Sequence, residues 1–204
     1  MATMMVIHDD RAGSGDSLAF PNMSTCCAVI CVLPNTLVGI HKTLGEISGK
    51  QLRLFNYARD ELINGATVHQ IVMAGWYARE NSTKHSPAVI RDALNCQNVP
   101  TFFYDYATHT VNRKDSKGKK TVEPAHKTHS TGFKMQDLCT FAQRDGTAFP
   151  KVSVKRSSKV ANTIDGAALY AKGTTSQFKS LGSVDEAITY KNDHLINRNQ
   201  FKQI

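Results

Sequence analysis

A cysteine and a histidine lie on either side of one predicted turn, in two apolar runs where a thiol and an imidazole could meet. Cys26 stands in the first run, and His41 ends the run that follows Pro34 and Asn35. Runs rich in β-branched residues and broken by Pro-Asn predict a β-hairpin with a type I turn. A turn centred between Pro34 and Asn35 would pair His41 with Ala28.

This register predicts that Cys26 and His41 are neighbours on one face of the sheet. Cys26 is two residues from Ala28, so the two side chains point to the same face. Diagonal neighbours lie roughly 7–8 Å apart at the backbone, a gap that Sγ and an imidazole can close to a hydrogen bond. A one-residue bulge would favour Cys27 instead. The alternative without chemistry is a core cysteine beside a strand histidine.

A thiol beside an imidazole predicts nucleophilic catalysis. The imidazole takes the thiol proton, and the thiolate attacks a carbonyl carbon to give an oxyanion and then a thioester. His41 would protonate the leaving group and then activate water. The oxyanion requires donors, for which we expect a backbone N–H near Cys26 and the hydroxyls of Ser24 and Thr25. Those hydroxyls could instead make local backbone hydrogen bonds. Thiolate, imidazole and water suffice, so we expect no cofactor and no metal.

The same residues resemble the catalytic core of the Cys–His glutamine deamidases. The stretch Met23-Ser24-Thr25-Cys26 is similar to the Leu-Ser-Gly-Cys motif of toxins of the cytotoxic necrotizing factor type, and the spacing to His41 matches. The stretch that begins at Ser24 also resembles Gly-Ser-Cys-Val-Ala-Val-Cys, the pattern of the chemoreceptor glutamine deamidases (the CheD family). The resemblance implies a protein-glutamine deamidase that converts a target glutamine side chain to glutamate.

One departure from the CheD pattern leaves the third catalytic group open. That family has a threonine six residues before the nucleophile, where this chain has Phe20. A Cys peptidase or another acyl-transfer enzyme would use the same dyad. A basic binding protein without activity, contacting nucleic acid or an acidic protein, is the alternative from a different class of function.

The elements after the hairpin predict the architecture that holds the dyad. Apolar spacing predicts a helix over 51–64, and Ser86-Pro87 is typical of the start of another. Strands are predicted over 68–77 and 99–106. Together, these elements predict an α/β (α+β) sandwich, in which a mixed sheet contains the catalytic hairpin and the helices pack on that sheet. The resemblance to the CheD order of elements covers residues 20–110.

The rest of the chain is predicted around this core. Residues 1–22 are predicted as a loose lead-in, because glycines and a proline favour turns there. We therefore divide the chain into a deamidase core (1–111), a basic loop or linker (112–130) and an extension that completes or caps the same domain (131–204). The linker assignment depends on its many lysines and few apolar residues.

The amino-acid composition indicates which binding partners and which cellular compartment to expect. The net charge of +8 over 204 residues favours an acidic protein surface as the partner, with nucleic acid as the alternative. The five cysteines, an odd number, fit no zinc signature and indicate a reducing compartment. No apolar run of about 18 residues is present, so we expect no membrane span. Without a classical secretory signal at its start, the protein is predicted to be cytoplasmic, or delivered as an effector or toxin into a target cell's cytosol.

Overall fold

The computed structural model of the protein describes residues 3–23, 26–43, 46–76, 86–108, 110–114, 117–124, 138–156, 183–185 and 195–204. Thirteen strands lie within these ranges. They are β1 (Thr3–Val6), β2 (Arg11–Gly15), β3 (Ser17–Phe20), β4 (Cys27–Val32), β5 (Leu37–Lys42), β6 (Gln70–Gly75), β7 (Thr101–Asp105), β8 (Thr110–Lys114), β9 (Lys120–Pro124), β10 (Leu138–Gln143), β11 (Lys151–Arg156), β12 (Ser183–Asp185) and β13 (Lys202–Gln203).

These strands form two mixed sheets and a separate hairpin. The first sheet has the order β11-β10-β3-β1-β12, in which β1 and β3 are parallel and the other neighbours are antiparallel. The second has the order β13-β7-β6-β4-β5-β2, with only β6 and β7 parallel. Strands β8 and β9 pair with each other as an antiparallel hairpin.

Two helices lie beside the second sheet. Helix α1 (Gly49–Tyr57) continues as π-helical turns over Ala58–Ile63, and Asn64 ends it in the left-handed conformation. Helix α2 (Pro87–Ala93) begins after Ser86, whose Oγ accepts a hydrogen bond from the Val89 amide. Among the described helices, none has the length and apolar character needed to cross a bilayer.

Strand β4 shows how the layers pack, because all of its residues are buried. One of its faces, with Ala28 and Ile30, joins a core that also contains Leu18 and Phe20 from the first sheet. The other face, with Cys27 and two further residues, packs with apolar side chains of α1 and α2. A strand covered on both faces has a continuous apolar sequence rather than an alternating one. The layers are therefore sheet, sheet and helices.

The predicted sandwich class is confirmed, and two of its details are wrong. Residues 1–22 are not a loose lead-in where they are described, because they form β1, β2 and β3. The sequence predicts one mixed sheet with helices on it, but the hairpin belongs to the second sheet, and the first sheet covers the face of the hairpin opposite the helices. Part of the predicted linker forms the β8–β9 hairpin, and the remainder lies outside the described residues. Strands β10 and β11 join the first sheet through β3.

A single glycine sets how closely the two sheets approach. A Cβ on Gly39, in the middle of β5, would lie 2.6 Å from Ile7 Cδ1, 2.7 Å from Phe20 Cζ and 2.8 Å from Leu18 Cδ1. All three of these side chains are fully buried in the core between the sheets. We predict that Gly39→Ala lowers the free energy of unfolding by about 1–3 kcal/mol, as overpacking does. Chemical denaturation measures this change.

Gly15 provides the matched control for this prediction. It lies on β2, which pairs with β5, and a Cβ there would meet its nearest atom, Met5 Cβ, at an ordinary 3.6 Å. Gly15→Ala is expected to stay within about 1 kcal/mol of the wild-type protein. Equal losses of stability in the two variants would contradict the argument from close packing.

Candidate active site

The register of the hairpin is the one that the turn predicts. His41 pairs with Ala28 across β4 and β5, and Cys26 immediately precedes β4. One ring nitrogen of His41, the Cys26 Sγ and a carboxylate oxygen of Asp9 all lie within 4.8 Å of one another. The structure therefore brings the two residues of the predicted dyad together and adds an aspartate to them.

The three members differ in exposure. Cys26 is 3% exposed and His41 is fully buried, whereas the Asp9 side chain is 55% exposed. The cluster consequently reaches the protein surface on the side of Asp9. A molecule that approaches the thiol must be slender enough to pass into a nearly closed site.

The other predicted site residues have different places. Cys27 points to the opposite face, packs in the core beside the helices, and lies 3.7 Å (Sγ to O) from the Ala28 carbonyl. Cys26 rather than Cys27 is therefore the cysteine next to His41. Ser24 and Thr25 lie outside the described residues.

A backbone carbonyl determines the tautomer of His41. The Nδ1 atom lies 2.8 Å from the Ile7 carbonyl oxygen, which can only accept a hydrogen bond, so Nδ1 carries the proton. Burial lowers the pKa of His41, and the Asp9 carboxylate and the Ile7 carbonyl only partly offset this effect. The imidazole is thus neutral at pH 7, and its Nε2 carries a lone pair.

The Nε2 atom of His41 is the ring nitrogen nearest the Asp9 carboxylate. It lies 3.2 Å from Asp9 Oδ1, within ion-pairing distance. Within the described part of the chain, however, Nε2 has no hydrogen-bond partner. A lone pair held beside a thiol is the arrangement that a general base requires. The nearby carboxylate would stabilise the imidazolium that forms when the proton moves from Cys26.

The turn between β1 and β2 holds Asp9 in place through its neighbour Asp10. The Asp10 amide donates to the His41 carbonyl at 3.0 Å, and its carboxylate accepts hydrogen bonds from Thr43 (2.6 Å), Lys50 (2.9 Å) and Gln51. Burial would raise the pKa of Asp10, but these hydrogen bonds outweigh it and lower the pKa. The turn is therefore fixed to both β5 and α1.

Two neighbours from the N-terminal residues contact the His41 ring. The Ile7 carbonyl orients the imidazole, while Phe20 packs edge-on against the His41 ring, with centroids 6.1 Å apart. Sequence reasoning missed both Ile7 and Asp9, because the lead-in was predicted to be loose. The signal that could have located them is the Asp9-Asp10 pair, since aspartate readily adopts the positive φ of 55° that Asp10 has at this turn.

A buried tyrosine, Tyr106, lies close enough to the cysteines for their electrostatic interaction to affect its pKa. The Tyr106 hydroxyl hydrogen-bonds to Thr140 Oγ1. Burial raises its pKa well above the ordinary value, and the thiols of Cys27 and Cys26 add to this. Tyr106 is consequently a neutral phenol close enough to Cys26 for the two groups to interact electrostatically.

Comparison with known proteins does not assign the chain to a family: no protein-family model, no curated protein and no solved structure matches it significantly.

The neutral, buried His41 predicts a loss of stability in mild acid. Its pKa in the folded state lies below the unfolded value of 6.5, so below about pH 6.5 the unfolded chain binds a proton that the folded chain does not. The free energy of unfolding should then fall with decreasing pH, by up to about 1.4 kcal/mol per pH unit for one such histidine. Denaturation at several pH values between 5 and 7.5 measures this slope.

The matched variants are His41→Gln and His69→Gln. The His41→Gln protein should show a shallower slope, with the remainder due to His8, whose pKa burial also lowers. His69→Gln, which replaces an exposed histidine, is the control for the substitution itself. A slope that is the same in all three proteins would show that His41 is not held neutral by its environment.

Proposed function

We propose that this protein is a protein-glutamine deamidase in which Cys26 is the nucleophile and His41 is the general base. The observation that carries the proposal is the convergence of the Cys26 thiol, the Asp9 carboxylate and a ring nitrogen of His41 within 4.8 Å, with Nε2 of that ring 3.2 Å from Asp9 Oδ1. The resemblance of the segment around Cys26 to the CheD and necrotizing factor families supports the choice of substrate.

The first half of the proposed reaction forms a thioester. His41 Nε2 takes the proton of the Cys26 thiol, and the thiolate attacks the side-chain amide carbon of glutamine. The new imidazolium keeps its Nδ1–H on the Ile7 carbonyl and lies beside the Asp9 carboxylate. It then gives its proton to the leaving nitrogen, so that the C–N bond breaks and ammonia departs.

The second half of the reaction regenerates the thiol. Water replaces ammonia beside His41, which removes a proton from it as it attacks the thioester carbon. The C–S bond breaks, glutamate is released, and the proton returns to Cys26. An amine in place of water would give transamidation. Oxyanion donors near Cys26, including a backbone amide and the hydroxyls of Ser24 and Thr25, complete the proposed machinery.

Burial of the nucleophile favours a side-chain amide over a peptide bond as the substrate. Cys26 is only 3% exposed, and the cluster reaches the surface at Asp9. A glutamine side chain is a single unbranched arm that can enter such a site, whereas a scissile peptide bond must bring chain on both sides of it. The same dyad would serve a Cys peptidase. The test is therefore whether the substrate releases ammonia or has its backbone cleaved.

The target is proposed to be a protein with an acidic surface. The chain has a net charge of +8, and the β8–β9 hairpin carries Arg113, Lys114 and Lys120 within a short segment. Positive charge speeds association with acidic partners. We place the reaction in the cytosol, either of the producing cell or of a cell that receives the protein as an effector or toxin.

The dyad predicts a fast-reacting thiol. Iodoacetamide at neutral pH should label Cys26 faster than the other four cysteines, as measured by peptide mapping over time. In His41→Ala the rate at Cys26 should fall by about 100-fold, the lower range for loss of a general base. Asp9→Asn should reduce the rate less, by about tenfold. His69→Ala, at an exposed histidine, is the control that keeps the wild-type rate. Equal labelling of Cys26 in wild type and His41→Ala would exclude the dyad.

Ammonia release tests the reaction itself. Acidic proteins incubated with the wild-type enzyme should release ammonia and gain about 1 Da per converted glutamine, with no cleavage of their backbone, in peptide mass spectrometry. Cys26→Ala should abolish both signals, and Cys96→Ala should retain them. Backbone cleavage instead would indicate a peptidase. Salt-sensitive binding that survives in Cys26→Ala, with no chemistry in wild type, would support the alternative of a basic binding protein.

A further inference from the structure

Three atoms with lone pairs point toward one another in this site, and three such atoms are also a metal-binding geometry. Asp9 supplies an oxygen, Cys26 a sulfur and His41 a nitrogen, all within 4.8 Å. His41 Nε2 is buried and has no hydrogen-bond partner among the described residues, although Asp9 Oδ1 lies 3.2 Å away. Such an arrangement is stable when a cation, either a proton or a metal ion, lies between the donors.

The donor types suit zinc. Zinc binds sulfur at about 2.3 Å and nitrogen or oxygen at about 2.0–2.2 Å, which in a tetrahedron separates the ligand atoms by about 3.3–3.7 Å. The nitrogen–oxygen distance of 3.2 Å is close to this range, and the Cys26 sulfur lies within 4.8 Å of an Asp9 oxygen and a His41 ring nitrogen. We propose that Asp9, Cys26 and His41 bind one Zn²⁺, with the fourth position left to water.

The surroundings of the donors fit a metal site as well. A histidine that ligates a metal usually donates its other N–H to a carbonyl or carboxylate, and His41 Nδ1 does so to the Ile7 carbonyl at 2.8 Å. The turn that carries Asp9 is fixed through the hydrogen bonds of Asp10 to Thr43 and Lys50. Two of the three ligands are therefore oriented before any metal arrives.

The charges also balance. A thiolate and a carboxylate together cancel the charge of Zn²⁺, and the neutral imidazole adds none, so the cluster carries no net charge in a nearly buried position. Such compensation limits the cost of removing the ion from water. Binding requires the thiolate, so the Cys26 thiol must lose one proton to solvent for each Zn²⁺ bound.

This site gives zinc a regulatory effect that rests on the proposed function. The Sγ lone pair that bonds to Zn²⁺ is the one that would attack an amide carbon, and the Nε2 lone pair is the one that would accept the thiol proton. A protein with bound zinc is consequently an inactive thiol enzyme. Removal of the metal by a chelator or by a competing protein restores the nucleophile.

The experiment combines zinc binding with protection of the thiol. Wild-type protein stripped with EDTA should bind about one Zn²⁺ per chain at the site in isothermal titration, with proton release detected in buffers of different ionisation enthalpy. Equimolar Zn²⁺ should slow iodoacetamide labelling of Cys26 by more than tenfold. Asp9→Asn and His41→Gln should each weaken binding by at least tenfold, and His69→Gln should bind as the wild type does.

Asp9→Asn keeps the test decisive, because Asp9 is exposed and its substitution leaves the core intact. Zinc affinity unchanged in both Asp9→Asn and His41→Gln, or Cys26 labelling unaffected by zinc, would overturn the proposed site.

Measuring ammonia release in EDTA separates this outcome from failure of the deamidase. Protection of Cys26 without ammonia release supports the metal site and counts against the enzyme. Ammonia release that zinc does not inhibit supports the enzyme and overturns the site.

Discussion

One hydrogen bond between the two sheets connects the fold to its chemistry. Ile7 follows β1 of the first sheet, where its amide donates to the Ala19 carbonyl of β3 at 2.8 Å. Its own carbonyl turns to the second sheet and accepts from His41 Nδ1. A buried carbonyl or imidazole left without a partner would cost about 1–3 kcal/mol. Packing of the sandwich and orientation of the imidazole are thus parts of the same interaction.

That contact is possible because the sheets approach closely at one place. Gly39 lies two residues before His41 on the same face of β5, and the ends of Ile7, Leu18 and Phe20 occupy the space that a side chain would fill. The backbone of Ile7 can therefore come within hydrogen-bonding distance of the ring. A wider gap would leave room for water beside the imidazole and would remove the constraint on its tautomer.

The sequence predicts the hairpin and its register well because both depend on local chemistry. Pro34 and Asn35 define the turn, and a turn centred on them without a bulge places His41 opposite Ala28, as observed. The same is true of α2, where Ser86 and Pro87 specify the start of the helix. These elements could be identified without any knowledge of the remaining chain.

The first sheet could not be predicted in this way, because β1, β3 and β12 are short and two of its pairings, β1 with β12 and β3 with β10, join distant parts of the chain. Strand β3 has four residues and pairs with β10, more than a hundred residues away. Its apolar run is too brief to distinguish from a loop with a few buried residues. Ile7 owes its position to that sheet, and Asp9 lies in the turn that leaves it, so local sequence patterns do not reveal that these two residues lie beside His41.

The chemistry of the site follows from what occupies the space between three donors. The Ile7 carbonyl holds the proton of His41 on Nδ1, so Nε2 keeps its lone pair, and the Cys26 thiol and the Asp9 carboxylate lie within 4.8 Å of a ring nitrogen. In the proposed reaction, the thiol proton moves to Nε2. Moving that proton onto Nε2 creates a nucleophile, and replacing it with Zn²⁺ removes one. The proposed reaction and the proposed inhibition are therefore alternative ways of satisfying the same lone pairs. The geometry that would let His41 act as the proposed base would also let it act as the proposed ligand.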